Sequence, residues 1–447
     1  MTDLLETSEE TLRAFYETLQ HTQWMPEDEL KAYQRQQLAH MLRHAARTTT
    51  FYKDRLAPVL NRDDSINWER WTEIPIVERS HMQLHRSDML SNDVPDRHGS
   101  LHSISTSGTT GEPVTMTWTS LTTLSRKSAN WRMFEWHKFD YSGHLAITRG
   151  TEPWPEGKTY DPWGPPWHRN LGSVMTLAPD TPYHRIAEWL GRKRPKYFQA
   201  LPMSLPTVAE HLVSQRIDNP IGAMVAYGGQ VAPLVRKLVH DALGIPVLEV
   251  YSSNDCGQIA HQCEAGSLHI LSELALVEIV DEAGQPCPRG VEGRIIVTVL
   301  HNTVLPIIRY QIGDVAAFGQ PCPCGRTLPV IGSITGRTKN LFRFGDDRPV
   351  APYDSEAYKI LAKVMNPTWY QIAQTGPMAV EIRFVTRDEL TAEGERYIRE
   401  KMPTIWRNAR PEITFTQLDA MPTRPGQKHI VFVNECEPGV TPDYSRT

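Results

Sequence analysis

The strongest constraint on the fold lies in the middle of the chain, where an apolar run, a helical segment and a second apolar run follow one another closely. Residues 223–227 and 247–251 have the length and composition of buried strands. Between them, residues 232–243 have helical periodicity and end before Gly244, a residue that often follows a helix. A strand, a helix and a strand at this spacing predict a parallel α/β unit.

The rest of the chain predicts further structural units. A length of 447 residues favours two or three units over one core. Residues 275–280 and 293–299 are separated by turn residues and predict a β-hairpin. The last 110 or so residues have a mixed α+β pattern of their own. We therefore expect an N-terminal domain over residues 1–336 and a C-terminal domain over residues 337–447.

Composition excludes some classes of protein. The formal net charge is -5, with 40% hydrophobic and 22% charged residues, whereas a general nucleic-acid binder is usually basic. No stretch approaches the roughly 18–20 apolar residues of a membrane-spanning helix. The N-terminus is polar and acidic, unlike a secretory signal. These features predict a cytoplasmic protein that binds neither nucleic acid nor membranes.

The cysteines favour a metal site over a disulfide framework, because five of the six lie close together between residues 256 and 324. Cys322 and Cys324 form a tight pair, and Cys263 with His269 forms a second pair. Thiolate and imidazole ligands suit a closed tetrahedral zinc site, which would be structural because it leaves no open position. Cys256 and His261 are rival ligands, and reduced, buried, unpaired cysteines are the alternative.

A loop rich in hydroxyl residues and glycine is the sharpest local signal for chemistry. Glycine lets backbone amides approach a phosphate chain closely. The loop is not a P-loop, since no Lys-Ser/Thr pair follows its glycines, and a polar surface loop is the alternative. The candidate phosphate-binding residues are Ser107, Gly108, Thr109, Thr110 and Gly111.

Three further motifs follow this loop in chain order: Tyr227-Gly228-Gly229-Gln230, Tyr251-Ser252-Ser253-Asn254-Asp255 and Arg309-Tyr310-Gln311-Ile312-Gly313-Asp314. Together with the loop, they resemble the ordered motifs of the adenylate-forming superfamily, which includes acyl-CoA synthetases, luciferases and peptide-synthetase adenylation domains. Residues 300–303 and 322–329 resemble its phenylacetate-CoA ligase group, with coenzyme F390 synthetase-like and capsule-biosynthesis-like proteins.

The resemblance implies an α/β fold, with a large N-terminal domain of layered sheets and helices and a small mobile α+β domain after it. It also implies roles for individual residues. The Tyr227–Gln230 turn would pack on adenine. The motif around Tyr251, Ser252, Asn254 and Asp255 would contact adenine, the α-phosphate and Mg²⁺, although Asp255 is one methylene shorter than the family's glutamate.

Further roles follow from the same resemblance. Asp314 would accept both ribose hydroxyls, which a carboxylate does well, and Arg309 would assist nucleotide binding. Lys428 resembles the catalytic lysine of the C-terminal domain, and Arg337 lies in the segment that resembles the interdomain hinge. A zinc cluster at matching positions is implied for Cys263, His269, Cys322 and Cys324.

The sequence says less about the acid. Trp131, Phe134 and Trp136 follow the phosphate loop at helical spacing, near where the family builds its acyl pocket, and Tyr227 is a further candidate. Aromatic residues at this spacing are more often core than pocket. The Trp-rich residues 150–170 predict a long loop, either a lid or a surface segment.

The predicted function is ATP-dependent activation of a small carboxylic acid, with an aromatic acid as the first choice. Acyl-AMP and pyrophosphate would form, and coenzyme A would then take the acyl group. ATP, Mg²⁺ and a structural Zn²⁺ are the implied cofactors, and family members are often homodimers. The alternatives are transfer to an amine, activation of another oxyanion, a non-catalytic nucleotide-binding relative and, more remotely, a zinc-dependent hydrolase.

Overall fold

The computed structural model describes residues 9–106, 114–337, 340–345, 350, 354–386, 388–422 and 430–436. The predicted strand, helix and strand are confirmed as β7 (Ala223–Tyr227), α9 (Pro233–Leu243) and β8 (Val247–Ser253). Pro233 begins α9, where its missing N–H costs nothing, and Gly244 ends it in the left-handed conformation with φ 69°. Within the described residues, no helix is both long and apolar enough to cross a membrane.

The chain divides into two compact units. The first contains Met1–Asp140, Gly164–Arg169 and Val250–Ile334, and the second contains Tyr141–Trp163, Asn170–Glu249 and Thr335–Thr447. The passage from the first unit to the second after Ile334 lies close to the expected boundary at 336. However, the second unit also includes about a hundred residues from the middle of the sequence. The expected division at 336 therefore stays a prediction.

The first unit combines N-terminal helices with a mainly antiparallel sheet. The sheet order is β11, β12, β13, β14, β10, β9, β8, and the predicted hairpin is confirmed by the register from Ala275↔Val299 to Val280↔Arg294. A separate hairpin pairs β1 with β2. The helices are α1 (Glu9–Thr22), α2 (Glu27–Thr48), α3 (Thr50–Arg55), α4 (Arg79–Leu84), α5 (Arg86–Met89) and α6 (Ser120–Trp136). Its strands are β1 (Leu101–Thr106), β2 (Val114–Thr119), β8, β9 (Gly257–Gln262), β10 (Leu268–Ile270), β11 (Ala275–Val280), β12 (Gly293–Val299), β13 (Tyr310–Phe318) and most of β14 (Val330–Arg337).

The second unit is built on parallel strands. β3, β5, β6 and β7 pair in parallel in the order β7, β6, β3, β5, and β4 lies antiparallel at the edge of β5. Parallel strands are covered on both faces, which explains the continuous burial of β7. The elements are β3 (Leu145–Thr148), β4 (Lys158–Pro162), β5 (Ser173–Leu177), α7 (Tyr183–Lys193), β6 (Tyr197–Ala200), α8 (Ser204–Ser214), β7 and α9.

The C-terminal part of the second unit forms a four-stranded sheet of order β17, β16, β15, β18. β16 alternates between buried and half-buried residues, because one face packs on helices. Leu234 of α9 belongs to the same apolar cluster as Phe342 and Trp406. The elements are α10 (Asp354–Ala362), β15 (Pro367–Gly376), β16 (Ala379–Thr386), α11 (Ala392–Lys401), β17 (Glu412–Gln417) and β18 (Phe432–Asn434).

The Trp-rich loop packs on helix α7 of the second unit. The guanidinium groups of Arg185 and Arg192 lie 5.3 and 4.4 Å from the ring of Trp154. Trp189 of α7 donates its indole N–H to the carbonyl of Glu156. Cation–π contacts and a buried tryptophan thus hold this part of the loop on the helix, which favours the surface-segment alternative over a lid.

A buried ion pair holds α1 to α6 in the first unit. The Arg132 guanidinium donates to both carboxylate oxygens of Glu273 at 2.7 and 3.2 Å and to the Leu19 carbonyl at 2.9 Å. The Thr22 hydroxyl also donates to Glu273. The side chains of Arg132 and Glu273 are 0% and 1% exposed.

We expect Arg132→Met to lower the free energy of unfolding by about 3–5 kcal/mol, because it leaves the Glu273 carboxylate buried without its partner. Urea unfolding followed by tryptophan fluorescence measures this. Lys31→Met is the control, since the Lys31–Glu27 pair is 59% and 63% exposed and should change stability by less than about 0.5 kcal/mol. Equal effects of the two substitutions would contradict the prediction.

Candidate active site and metal centre

Asp255 lies in the turn that follows β8. The Ser253 hydroxyl accepts the Cys256 N–H at 2.9 Å and closes this turn. The Asp255 Oδ2 atom accepts the Tyr310 hydroxyl at 2.8 Å and lies 3.5 Å from the Arg79 guanidinium. Its Oδ1 atom is buried and has no hydrogen-bond partner among the described residues. One carboxylate oxygen is therefore fixed, and the other remains available for a ligand.

A second guanidinium lies beside the same turn. Gly257 has φ 80°, and a Cβ atom there would lie 2.7 Å from the Arg126 side chain, so only glycine fits. Arg126 also lies over the Trp118 ring at 5.1 Å. Ser252 is half-buried and Asn254 is exposed. The turn therefore has a guanidinium group close to its backbone at the start of β9.

Asp314 is carried by an irregularity in β13. Residues 294–296 of β12 face residues 311–315 of β13, so two additional residues bulge out of the ladder. Gly313 within the bulge has φ 86°. Bulges of this kind re-aim side chains at functional sites. The Tyr251 hydroxyl donates to Asp314 Oδ2 at 2.7 Å.

Two predicted motifs are thus joined by reciprocal tyrosine–aspartate hydrogen bonds. Tyr251 of the first motif donates to Asp314 of the second, and Tyr310 of the second donates to Asp255 of the first. Burial and the Asp255 carboxylate raise the pKa of Tyr310, so its hydroxyl stays protonated and donates. The tertiary structure therefore brings both carboxylates of the two motifs into one region of the first unit.

Arg309 has a different place from the one expected. Its guanidinium donates to the carbonyls of Thr72 and Ile74 at 2.8 and 2.7 Å, contacts the Glu278 carboxylate, and reaches the Gly284 carbonyl at 3.5 Å. These contacts use all five of its N–H donors. The side chain is 1% exposed. Arg309 is therefore a structural residue of the first unit, with no donor left for a nucleotide.

The candidate adenine turn belongs to the second unit. The Tyr227 hydroxyl donates to the Thr148 carbonyl, and burial raises its pKa. Gly228 has φ 73°, which glycine adopts without strain. Gly229 and Gln230 are exposed at the end of β7. The turn therefore presents backbone and a polar side chain to solvent.

Some predicted residues lie outside the described part of the chain. The phosphate loop, residues 107–111, falls in the gap between the paired residues Thr106 and Val114. Lys428 also lies outside the described residues, as does the side chain of Arg337, whose backbone ends β14. Their expected roles stay predictions.

The three aromatic residues proposed for the acyl pocket are part of the core. All lie on α6 and are 5–6% exposed. Trp131 packs against Tyr16, and Phe134 stacks on Phe139 at 5.1 Å. Trp136 lies 5.9 Å from the ring of His269. Helical aromatic spacing thus reflects core packing here, and the residues that contact the acid stay unassigned.

The four predicted metal ligands converge in the first unit. The ligand atoms of Cys263, His269, Cys322 and Cys324 all lie within 4.8 Å of one another. Cys263 and Cys322 have their sulfurs 3.6 Å apart, and Cys324 Sγ lies 3.2 Å from His269 Nε2. A tetrahedral zinc site with Zn–S of about 2.3 Å has S–S edges of about 3.8 Å, so the set fits zinc.

The surroundings of the metal ligands also fit zinc. His269 Nδ1 lies 3.0 Å from the Leu328 carbonyl, which orients the ring and leaves Nε2 for a metal. Burial lowers the pKa of His269, which favours the neutral imidazole that ligates metals. Four protein ligands leave no open position, so the cluster suits a structural ion rather than a hydrolytic one.

The rival ligands lie elsewhere. Cys256 belongs to the main apolar core of the first unit, where burial raises the pKa of its thiol. His261 is fully buried in β9, and burial lowers its pKa to about 3. Neither is part of the converging set.

The loop at residues 322–329, the metal-binding loop, contacts the turn between α1 and α2. The Gln23 side-chain oxygen accepts from Trp136 at 2.7 Å and from Arg326 at 3.1 Å, and its carbonyl accepts the Thr327 N–H at 2.9 Å. Arg326 also pairs with Glu264 at 2.8 Å. A metal in this cluster would therefore hold together a β-hairpin, a long loop and the N-terminal helices.

Sequence reasoning missed the contributions of three residues to the site. Tyr310 lay inside a recognised motif but had no expected role. Arg79 lies in a polar stretch without a motif. Arg126 lies on α6, where the helical pattern does not distinguish it from its neighbours. Only Gly257 offered a signal for Arg126, since a glycine at the start of a strand indicates a close approach.

The site can be compared with known proteins. A phenylacetate-coenzyme A ligase from Thermus thermophilus is 23% identical over 342 residues, covering 71% of this chain and 72% of the relative. A second, from Aromatoleum evansii, is 21% identical over 332 residues, covering 70% and 72%. The crystal structure of 2-hydroxyisobutyryl-CoA ligase in the postadenylation state, in complex with R3-HIB-AMP, has a TM-score of 0.73 at 18% identity. That similarity covers 93% of this chain and 91% of the other. No family model matches.

The structural similarity confirms the expected α/β fold with a smaller C-terminal part. The ordered motifs, the relatives and this fold agree with one another. The chain is therefore similar in sequence to phenylacetate-coenzyme A ligases and similar in fold to 2-hydroxyisobutyryl-CoA ligase.

Proposed function

We propose that this protein activates a small carboxylic acid, with an aromatic acid as the first candidate, by forming its acyl-adenylate from ATP. Pyrophosphate leaves in this first step, and the thiol of coenzyme A then takes the acyl group as a thioester with release of AMP. The observation that carries this proposal is the reciprocal pairing of Tyr251 with Asp314 and of Tyr310 with Asp255. It brings together two carboxylates, one on a bulge and one with a buried oxygen that has no partner among the described residues, and this arrangement supports binding of a nucleotide and its cation.

Each group has a distinct task in this mechanism. Asp314 accepts the ribose hydroxyls and fixes the nucleotide, with Tyr251 holding the carboxylate in place. By the resemblance to adenylate-forming enzymes, we expect the Tyr227–Gln230 turn to contact adenine and the loop at residues 107–111 to donate to the phosphates. Arg79 and Arg126 add positive charge beside the Asp255 turn. Little covalent chemistry falls to the protein, because positioning and charge stabilisation carry the reaction.

Two metals belong to the proposal. Asp255 Oδ1 would supply one oxygen ligand to Mg²⁺, a hard cation that prefers oxygen ligands. When bound there, Mg²⁺ neutralises charge on the phosphates. Zn²⁺ is held by Cys263, His269, Cys322 and Cys324 and is structural.

The C-terminal segment supplies the remaining cation. Lys428 approaches the acid and the α-phosphate and offsets the negative charge that develops as the carboxylate attacks. We expect Lys428→Ala to reduce adenylation about 100-fold, comparable to the loss of one positioned donor. Lys401→Ala is the control, because Lys401 lies on the exposed end of α11 and pairs with Glu400. A Lys428 variant with full activity would contradict this role.

ATP–pyrophosphate exchange across aromatic, aliphatic and amino acids tests the proposal. We expect exchange with at least one aromatic acid, and a coenzyme A thioester detected by mass spectrometry. Hydroxylamine traps the acyl-adenylate whichever acceptor follows, so hydroxamate without thioester would favour an amine acceptor. ATP binding without exchange for any acid would instead favour a non-catalytic relative.

A further inference from the structure

Among the described residues, only one of the two Asp255 carboxylate oxygens has hydrogen-bond donors. Its Oδ2 atom receives the Tyr310 hydroxyl at 2.8 Å and faces Arg79 at 3.5 Å, whereas Oδ1 is buried without a partner among the described residues. Here the two donors converge on one oxygen and leave the second available.

We propose that Tyr310 is a positioning residue that orients the Asp255 carboxylate so that Oδ1 can ligate a divalent cation. This inference rests on the proposed function and identifies how a short aspartate can serve as a ligand. A free aspartate side chain can rotate and present either oxygen to a cation. The tyrosine removes that freedom by holding Oδ2, which is the usual action of a partner behind a metal ligand.

The position of Tyr310 is itself well determined. Tyr310 is the first residue of β13 and is 2% exposed. Val77 pairs with it in a parallel bridge, donating to the Arg309 carbonyl at 2.9 Å and accepting the Gln311 N–H at 2.8 Å. These hydrogen bonds fix the backbone on both sides of Tyr310, so its side chain loses little conformational entropy when the hydroxyl donates.

Arg309 contributes to the same arrangement from a distance. Its guanidinium holds the Thr72 and Ile74 carbonyls, so the segment leading to Arg79 is fixed against the start of β13. Arg79, the first residue of α4, then reaches the Asp255 carboxylate. The residue expected to bind nucleotide therefore supports the carboxylate through the backbone of its neighbours.

Tyr310→Phe tests the inference because it removes only the hydroxyl. We expect the apparent Mg²⁺ constant for pyrophosphate exchange to rise about 10-fold or more, the usual loss for a partner behind a metal ligand. The rate at saturating Mg²⁺ should fall less than about threefold, since the carboxylate itself remains. Arg79→Gln should raise the same constant by a smaller factor, because its contact is longer.

A second readout does not depend on turnover. Binding of Mn²⁺ to the protein with ATP, followed by the electron paramagnetic resonance signal of free Mn²⁺, should weaken by a similar factor in Tyr310→Phe. Tyr370→Phe is the matched control, because Tyr370 is a buried tyrosine of β15, 1% exposed. Thermal unfolding of both variants distinguishes a lost contact from a lost fold.

The outcomes separate the two proposals. Weaker Mn²⁺ binding and a raised Mg²⁺ constant in Tyr310→Phe, both unchanged in Tyr370→Phe, support the inference. Unchanged metal dependence in Tyr310→Phe overturns it even if the enzyme is active. Absence of exchange by the unmodified protein with every acid counts against the proposed function alone, because Mn²⁺ binding still decides the inference.

Discussion

Replacing Asp314 by alanine is expected to reduce ATP–pyrophosphate exchange about 1,000-fold while leaving the fold intact. A carboxylate that accepts two ribose hydroxyls contributes two charge-assisted hydrogen bonds of about 2 kcal/mol each. Together they correspond to about three powers of ten in rate. The side chain sits on the β13 bulge and is only half-buried, so its loss should cost little stability.

Variants at neighbouring positions sharpen this result. Asp314→Asn keeps one acceptor oxygen and should lose less activity than the alanine variant. Tyr251→Phe should lose less again, because Tyr251 holds the carboxylate at 2.7 Å without replacing it. Asp218→Ala is the control, since Asp218 is 85% exposed and pairs with Arg194 on the surface of the second unit. Near-normal exchange by Asp314→Ala would remove the main support for nucleotide binding at this bulge.

Loss of one metal ligand is expected to have the largest effect on stability. Cys324→Ser should abolish stoichiometric zinc binding and lower the melting temperature by about 10 °C, since structural zinc contributes several kcal/mol to folding. The metal-binding loop holds Gln23 between α1 and α2, so the N-terminal helices should also become sensitive to protease. Metal analysis, thermal unfolding and limited proteolysis measure these three effects.

The chain offers a matched control for this experiment. Cys436→Ser changes an exposed cysteine that follows β18 in the C-terminal sheet, remote in sequence from the four ligands. It should retain one zinc ion per chain and a near-normal melting temperature. Equal zinc content in Cys324→Ser and the unmodified protein would show that the cluster is not the zinc site. Reduced zinc without any loss of stability would show that the ion is dispensable for folding.

The sequence was a good guide to local structure and to the metal ligands. Strand and helix periodicity predicted β7, α9 and β8 to within two residues at each end. Cys322 and Cys324 lie close together in the chain. A tetrahedral zinc site formed by these two thiolates needs two more ligands, and Cys263 and His269 lie where they could provide them. Such features depend on local spacing and on residue type, both of which the sequence states directly.

Arg309 shows where motif resemblance is insufficient. It lies five residues before Asp314 in the same motif, yet its guanidinium points to carbonyls near residue 74. Two of its partners, the Thr72 and Ile74 carbonyls, lie 237 and 235 residues away in the chain. Trp131, Phe134 and Trp136 are similar, because the same helical spacing serves a pocket or a core, and only their 5–6% exposure decides between them.

The sequence by itself predicted a parallel α/β unit, the order of the motifs and the candidate metal ligands, with Cys256 and His261 left as rivals, because periodicity and side-chain chemistry are local properties. Only the tertiary structure decided which Asp255 oxygen has no partner among the described residues and which tyrosine holds each aspartate. It also decided that Arg309 is structural. Those outcomes depend on contacts between β8, β13 and the segment before α4, and the pairing of distant segments is fixed by packing and register rather than by local pattern.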